Sequence, residues 1–147
     1  MSNYYGKTRT NYFSVTDENA LRDIISRACG SEDTVELYME QASNGEKKFM
    51  FLCESDILGF PETDENGEVY EDCDYSFDDF TAALQKILPE NEAIIITEVG
   101  SEKMRYLSGY VTVITQNEVA YGNLRNLGIE IARRLLNNES WDTKNEY

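Results

Sequence analysis

Residues 34–53, TVELYMEQASNGEKKFMFLC, constrain the fold more than any other stretch of the chain. Val35, Leu37 and Met39 alternate with Glu36, Tyr38 and Glu40, which is the period of a half-buried strand. Asn44-Gly45 follows, a strong hairpin signal because both residues tolerate positive φ. KKFMFLC at 47–53 then returns as a second strand. A two-residue turn would place Met39 opposite Met50 and Leu37 opposite Leu52, keeping one face apolar. A two-stranded ribbon of this kind is marginal alone, so other elements must cover it.

Those elements are visible on both sides. Leu21, Ile24, Ile25 and Ala28 recur at helical spacing and predict a helix over 17–29, capped by Thr16 or Asp17 and ended by Gly30. A second helix is expected over 76–88. Ser76 and Asp79 fit a capping box, Asp78 and Asp79 suit the positive end of the dipole, and Pro89 stops it. Its apolar stripe is Phe77, Phe80, Leu84 and Ile87. A third is expected over 124–136, capped by Asn123, with Leu124, Leu127, Ile131 and Leu135 inward and Gly128 packed closely on a sheet. TNYFSV at 10–15, EAIIITEV at 92–99 and MRYLSGYVTVIT at 104–115 have strand composition, with Phe13 and Val15 sharing a face in the first. The last two would form a hairpin in which Glu98 faces Arg105.

The expected order is therefore β-α-β-β-α-β-β-α. Alternating strands argue for an antiparallel sheet of four to five strands with three helices mainly on one face, an α+β fold. The whole chain, 1–147, reads as a single domain with a polar C-terminal tail at 138–147.

Histidine is absent, which excludes Ser-His-Asp and Cys-His nucleophile systems and His-containing zinc sites. Cys29, Cys53 and Cys73 match no zinc or redox spacing, and no apolar run reaches transmembrane length. These features predict a cytoplasmic protein with reduced thiols, no metal or other cofactor, and no catalytic residues. The net charge is −15, and residues 61–85 hold nine acids and no base. Direct binding to nucleic acid or to a membrane is not expected of such a chain, since both need a basic face. A basic, nucleic-acid-binding protein is the expected partner.

The acids concentrate in ETDENGEVYEDCD at 62–74, seven carboxylates in thirteen residues. Counted as a calcium loop from Glu62, the stretch has Asp64, Asn66 and Gly67 in place, but position 12 is Cys73 and the bidentate carboxylate is missing. Read as a hairpin, Asn66-Gly67 is the tip and the charges keep an exposed edge soluble. Read as a mimic of DNA phosphates, one strand is too sparse. Alternate residues lie about 6.8 Å apart, against one DNA charge per about 1.7 Å. Two hairpin arms together with a helix start would come closer. The candidate acidic surface comprises Glu62, Asp64, Glu65, Glu68, Glu71, Asp72, Asp74, Asp78 and Asp79. A second candidate face is basic and aromatic: Arg9, Asn11, Tyr12, Lys103, Arg105, Tyr106 and Tyr110. Its plain alternative is an Arg105–Glu98 pair with tyrosines packed hydroxyl-outward.

NYYGKTRTNYFSVTDE (3–18), SFDDFTAALQKILPE (76–90) and AIIITEVGSEKMRYLSGYVTVIT (93–115) resemble a family of small, uncharacterised acidic proteins encoded on bacterial conjugative and integrative mobile elements. The resemblance implies an accessory protein of mobile DNA, a setting like that of antirestriction and anti-CRISPR proteins. The function expected is non-enzymatic: binding a basic host protein through the acidic surface, as a DNA mimic that inhibits a defence nuclease. The alternative is a binding or regulatory protein of conjugation or element maintenance without mimicry. A carboxylate-dependent enzyme ranks third, and two acids sharing a concave pocket would favour it.

Overall fold

The computed structural model describes residues 4–69, 73–102 and 106–143. Their elements run β1 (Tyr4–Thr10), α1 (Glu18–Arg27), β2 (Cys29–Gly30), β3 (Glu36–Gln41), β4 (Lys47–Cys53), β5 (Ile57–Pro61), β6 (Tyr75–Ser76), α2 (Phe77–Gln85), β7 (Ala93–Glu102), β8 (Tyr106–Thr115), β9 (Val119–Asn123) and α3 (Leu124–Leu136). Six strands form one antiparallel sheet in the order β3-β4-β1-β7-β8-β9, and β2-β5-β6 form a small second sheet. The fold is α+β, with more strands than the expected four to five.

The additional strands are those without apolar alternation. β1 lies in the middle of the large sheet, between β4 and β7, and precedes the expected strand at 10–15. Its inward positions are Thr8 and Thr10, both buried. The Thr8 hydroxyl donates to the Ser55 carbonyl at 3.0 Å. The Thr10 hydroxyl donates to the Asn11 carbonyl at 2.8 Å and accepts from the Phe51 N–H at 3.2 Å. Each hydroxyl is satisfied, so a polar strand can occupy the sheet interior. Past Thr10 the chain leaves the ladder, and Phe13 makes only an isolated bridge to Phe49.

The 34–53 hairpin forms, with its register shifted by one residue. Ala42 and Glu46 close the turn and Gly45 sits at φ 88°, leaving a three-residue loop in place of the two-residue turn. Leu37 consequently faces Phe51 and Met39 faces Phe49. A one-residue shift moves the partner strand's other face inward, and here it brings Phe49, Phe51 and Cys53 into the core. The β7–β8 hairpin is likewise longer than expected, and Glu98 lies opposite Tyr110 instead of Arg105. Residues 103–105 fall outside the described residues.

The core lies between the large sheet and the helices α1 and α2. Asp17 caps α1, accepting from the Ala20 N–H at 3.1 Å, and the helix buries Leu21, Ile24 and Ile25. Gly30 does not end α1. It belongs to β2, where a β-carbon would strike the Asp33 carbonyl oxygen and the Cys53 sulfur. Ser76 caps α2 by accepting from the Asp79 N–H at 3.1 Å, and Phe80 and Leu84 point into the core. Phe51 meets Phe13 and Phe80 edge-to-face at 6.0 and 5.8 Å, and Phe60 meets Phe80 at 5.7 Å. Each such ring contributes roughly 1.5–3 kcal/mol by burial alone. Ile94, Ile96 and Ile114 supply the sheet side of this core.

α3 differs from the other two helices. Its bounds match the expected 124–136, with Asn123 as N-cap and Asn137 left-handed at its C-terminal end. Leu124, Leu127, Ile131 and Leu135, expected inward, are 64, 52, 38 and 77% exposed, and only Ile129 is buried. The helix start is held where Leu124 fills the space above Gly109. Gly109 shares its side of β8 with Val111 and Val113, opposite Ile114, so α3 begins on the face away from the core. Gly128 has open space around its α-carbon and makes no close approach to the sheet. The segment expected as a polar tail folds back along α3 as far as Thr143. Arg133 donates to the Trp141 carbonyl at 2.7 Å, and Arg125 to the Thr143 carbonyl at 2.7 Å.

Candidate functional site

The acidic stretch is a hairpin whose base is built into the small sheet. Phe60 pairs with Ser76 and Pro61 with Tyr75, and the Glu62 N–H reaches the Asp74 carbonyl at 2.8 Å. Farther out Thr63 bridges Val69, and Asp64 organises the tip. One Asp64 carboxylate oxygen accepts from the N–H groups of Asn66 at 2.8 Å and Glu68 at 3.0 Å, while Gly67 takes φ 80°. The aspartate thus serves as a turn-forming side chain, a common use of that residue. Glu71 and Asp72 lie outside the described residues.

The hairpin base runs straight into α2. Gly59, at φ 105°, lets β5 approach so closely that a β-carbon there would strike the backbone of Ser76 and Phe77. Asp78 and Asp79 follow in the first turn of α2, next to Asp74 in the chain. The hairpin base and the helix start are therefore adjoining. Glu62, Asp64, Glu65, Glu68, Asp74, Asp78 and Asp79 are all exposed.

Six basic side chains pair with acids outside this acidic surface. Lys7 pairs with Glu54, Arg22 and Lys47 with Glu18, Arg27 with Asp23, Lys48 with Glu46 and Glu92, and Arg125 with Asp142. The hydrogen bond from Lys47, followed by that from Arg22, holds the Glu18 carboxyl below its usual range. Among the described residues, Asp64, Glu65, Glu68, Asp74, Asp78 and Asp79 form no ion pair. Also among the described residues, no three Asp, Glu or Cys side chains gather in a geometry that could hold a metal ion.

The basic-aromatic candidates do not share a face. Arg9 stands opposite Thr97 and Leu52, on the side of the sheet away from the core. Tyr110 stands opposite Glu98, and by strand alternation points to the other side. Asn11 has a structural duty. Its amide donates to the Ala93 carbonyl at 3.1 Å and accepts from the Ile95 N–H at 2.7 Å, prolonging the β1–β7 ladder after β1 has ended. Tyr12 is exposed beside it, Tyr106 opens β8, and Lys103 and Arg105 lie outside the described residues.

Sequence reasoning missed a second surface. A groove of about 580 Å³ runs between the sheet, at Thr97, Val99 and Val111, and α3, at Leu124 and Leu127. The helical stripe was legible in the sequence. Its exposure was not, because periodicity reports which residues share a face and not whether that face is covered.

No protein-family model, curated protein or solved structure matches the chain. Among the described residues, no helix is long and apolar enough to cross a membrane.

Proposed function

We propose that this protein is a non-enzymatic accessory protein of a mobile genetic element that binds a basic, nucleic-acid-binding host protein through the 62–79 surface, acting as a DNA mimic against a defence nuclease of the kind that antirestriction and anti-CRISPR proteins inhibit. The observation that carries this reading is the segregation of charge. Six basic side chains, Lys7, Arg22, Arg27, Lys47, Lys48 and Arg125, are paired with acids outside this surface, while six exposed carboxylates of the hairpin and the α2 start have no ionic partner among the described residues. Exposed acids of one sign sum to a field that steers a basic partner and speeds encounter. The described acids lie exposed at a hairpin tip and a helix start.

The experiment is a pull-down from a bacterial lysate with mass spectrometry, followed by binding kinetics on the captured protein. Glu62, Asp64, Glu65, Glu68, Glu71 and Asp72 are replaced together by Gln or Asn. Asp64→Asn keeps an acceptor oxygen for the turn, so the hairpin survives. The variant should retain or slightly raise its melting temperature and lose on-rate toward the partner. Wild-type affinity should fall steeply with salt, since about 0.15 M salt screens charges beyond roughly 8 Å. Undiminished binding by the neutralised variant, with salt-insensitive wild-type affinity, would refute the proposal.

A further inference from the structure

The structure points to a second interface, formed by α3 and the outward face of β7 and β8. We infer that it joins two copies of this chain. Leu127, Ile131 and Leu135 recur every four residues, making one unbroken ridge along an exposed helix. Ridges of that spacing interdigitate with their own kind in the commonest helix-packing class, at a crossing angle of about −50°. A two-fold axis at Ile131 sets Leu127 of each copy against Leu135 of the other, the self-complementary pattern an isologous dimer requires.

Area and charge favour a second copy as the occupant. With Val99, Leu107 and Leu124, all more than a third exposed, the ridge offers on the order of 600 Å² of apolar side chain. The largest patch on a typical monomer is about 300–600 Å², and each partner of a standard interface contributes about 800 Å². A chain of net charge −15 can meet its own copy only where the acids are sparse. This face is such a place: on α3 the ridge is flanked by Arg134 and Glu130 alone, Arg125 and Arg133 being turned to the 141–143 segment, and the neighbouring sheet face carries Lys7 and Arg9 with Glu54. The acidic hairpin is a separate surface, so this inference does not rest on the function proposed above.

The test is sedimentation velocity on the full chain from about 1 to 100 µM, in low salt and in 0.5 M NaCl. The expected mass at the upper concentrations is twice the 16.9 kDa of one chain. Association should hold or strengthen in high salt, because screening weakens the repulsion between copies. Leu127→Asp with Leu135→Asp should raise the dissociation constant at least tenfold. Leu127→Ala with Leu135→Ala, which favours the helix, should raise it less. Circular dichroism reports whether each variant keeps its fold. A wild type that stays monomeric at 100 µM overturns the inference. So does a dimer indifferent to both pairs of substitutions, since the copies would then join elsewhere.

Discussion

Glu92 links two separate segments of the fold, and its removal has a calculable effect. One of its carboxylate oxygens accepts from the Ser14 N–H at 2.8 Å and the Ser14 hydroxyl at 2.7 Å. The other accepts from the Ala93 N–H at 3.1 Å, and Lys48 lies 3.7 Å from the first. Together these tie the segment after β1 to the start of β7. Burial alone would raise the Glu92 pKa, but the hydrogen bonds from Ser14 and Ala93, with the Lys48 charge, outweigh it and hold the carboxyl below its ordinary value. Hydrogen bonds to a charged group contribute about 1.5–3 kcal/mol each and do not add fully, so Glu92→Ala should cost roughly 2–4 kcal/mol. At about 3–4 °C per kcal/mol for this size, the melting temperature falls by roughly 6–16 °C. Ser14→Ala, which removes the hydroxyl and keeps the N–H, should cost about 1 kcal/mol. Urea melts followed by circular dichroism measure both.

The pH dependence supplies an independent check. A depressed folded-state pKa means that the unfolded chain binds its proton first as pH falls. The stabilisation is complete above the unfolded glutamate value of about 4.3 and is lost as pH drops through the folded value. The stability gap between wild type and Glu92→Gln should therefore be constant from pH 7 to pH 5 and narrow below about 4.3. A gap under about 0.5 kcal/mol at pH 7, or one that widens in acid, would refute the reasoning.

Gly59→Ala should destabilise by about 2 kcal/mol or more, because φ 105° disfavours any side chain and the new methyl meets the Ser76–Phe77 backbone; urea melts report the loss, and amide exchange of 60–76 should quicken with it. Phe80→Ala empties the centre of the Phe51–Phe60–Phe80 contacts and should cost about 3–5 kcal/mol in the same melts. Gly128→Ala should stabilise by roughly 0.5–1 kcal/mol, since the position is helical and the added methyl meets nothing within 4 Å; a lower melting temperature would contradict that open geometry.

How much of this was legible beforehand differed by element. α1 and α2 could be read because their apolar stripes are buried and their caps, Asp17 and Ser76, are side chains that accept backbone bonds. The hairpin turns at Gly45 and Gly67 could be read because both positions require positive φ. β1 could not, because its buried positions are threonines whose hydroxyls find partners 41 and 47 residues away in sequence. β9 could not for a related reason: Val119–Asn123 carries no apolar alternation, and its pairing with β8 makes it a strand. For the acidic site, the segregation of charge was visible in the sequence. The closeness of its base to α2 depends on the β5–β6 pairing and the Gly59 approach, which are tertiary.

The central position of β1 also bears on the order in which the chain can fold during synthesis. β1 leaves the ribosome before its partners, which lie at Leu52–Cys53 on one side and Ile96–Glu102 on the other. The β3–β4 hairpin can close early, since it is local, and β1 can join it through its short pairing with β4, but the other edge of β1 stays open until β7 emerges. Pairing over such separations carries a loop-closure cost that slows the search. Translation pauses that hold β7 inside the ribosome would then lengthen the life of a β1 paired on one edge only, whereas pauses after β7 has emerged would leave it already enclosed. Pulse proteolysis of nascent chains stalled before and after β7 emerges should give cutting at β1 in the first case and protection there in the second.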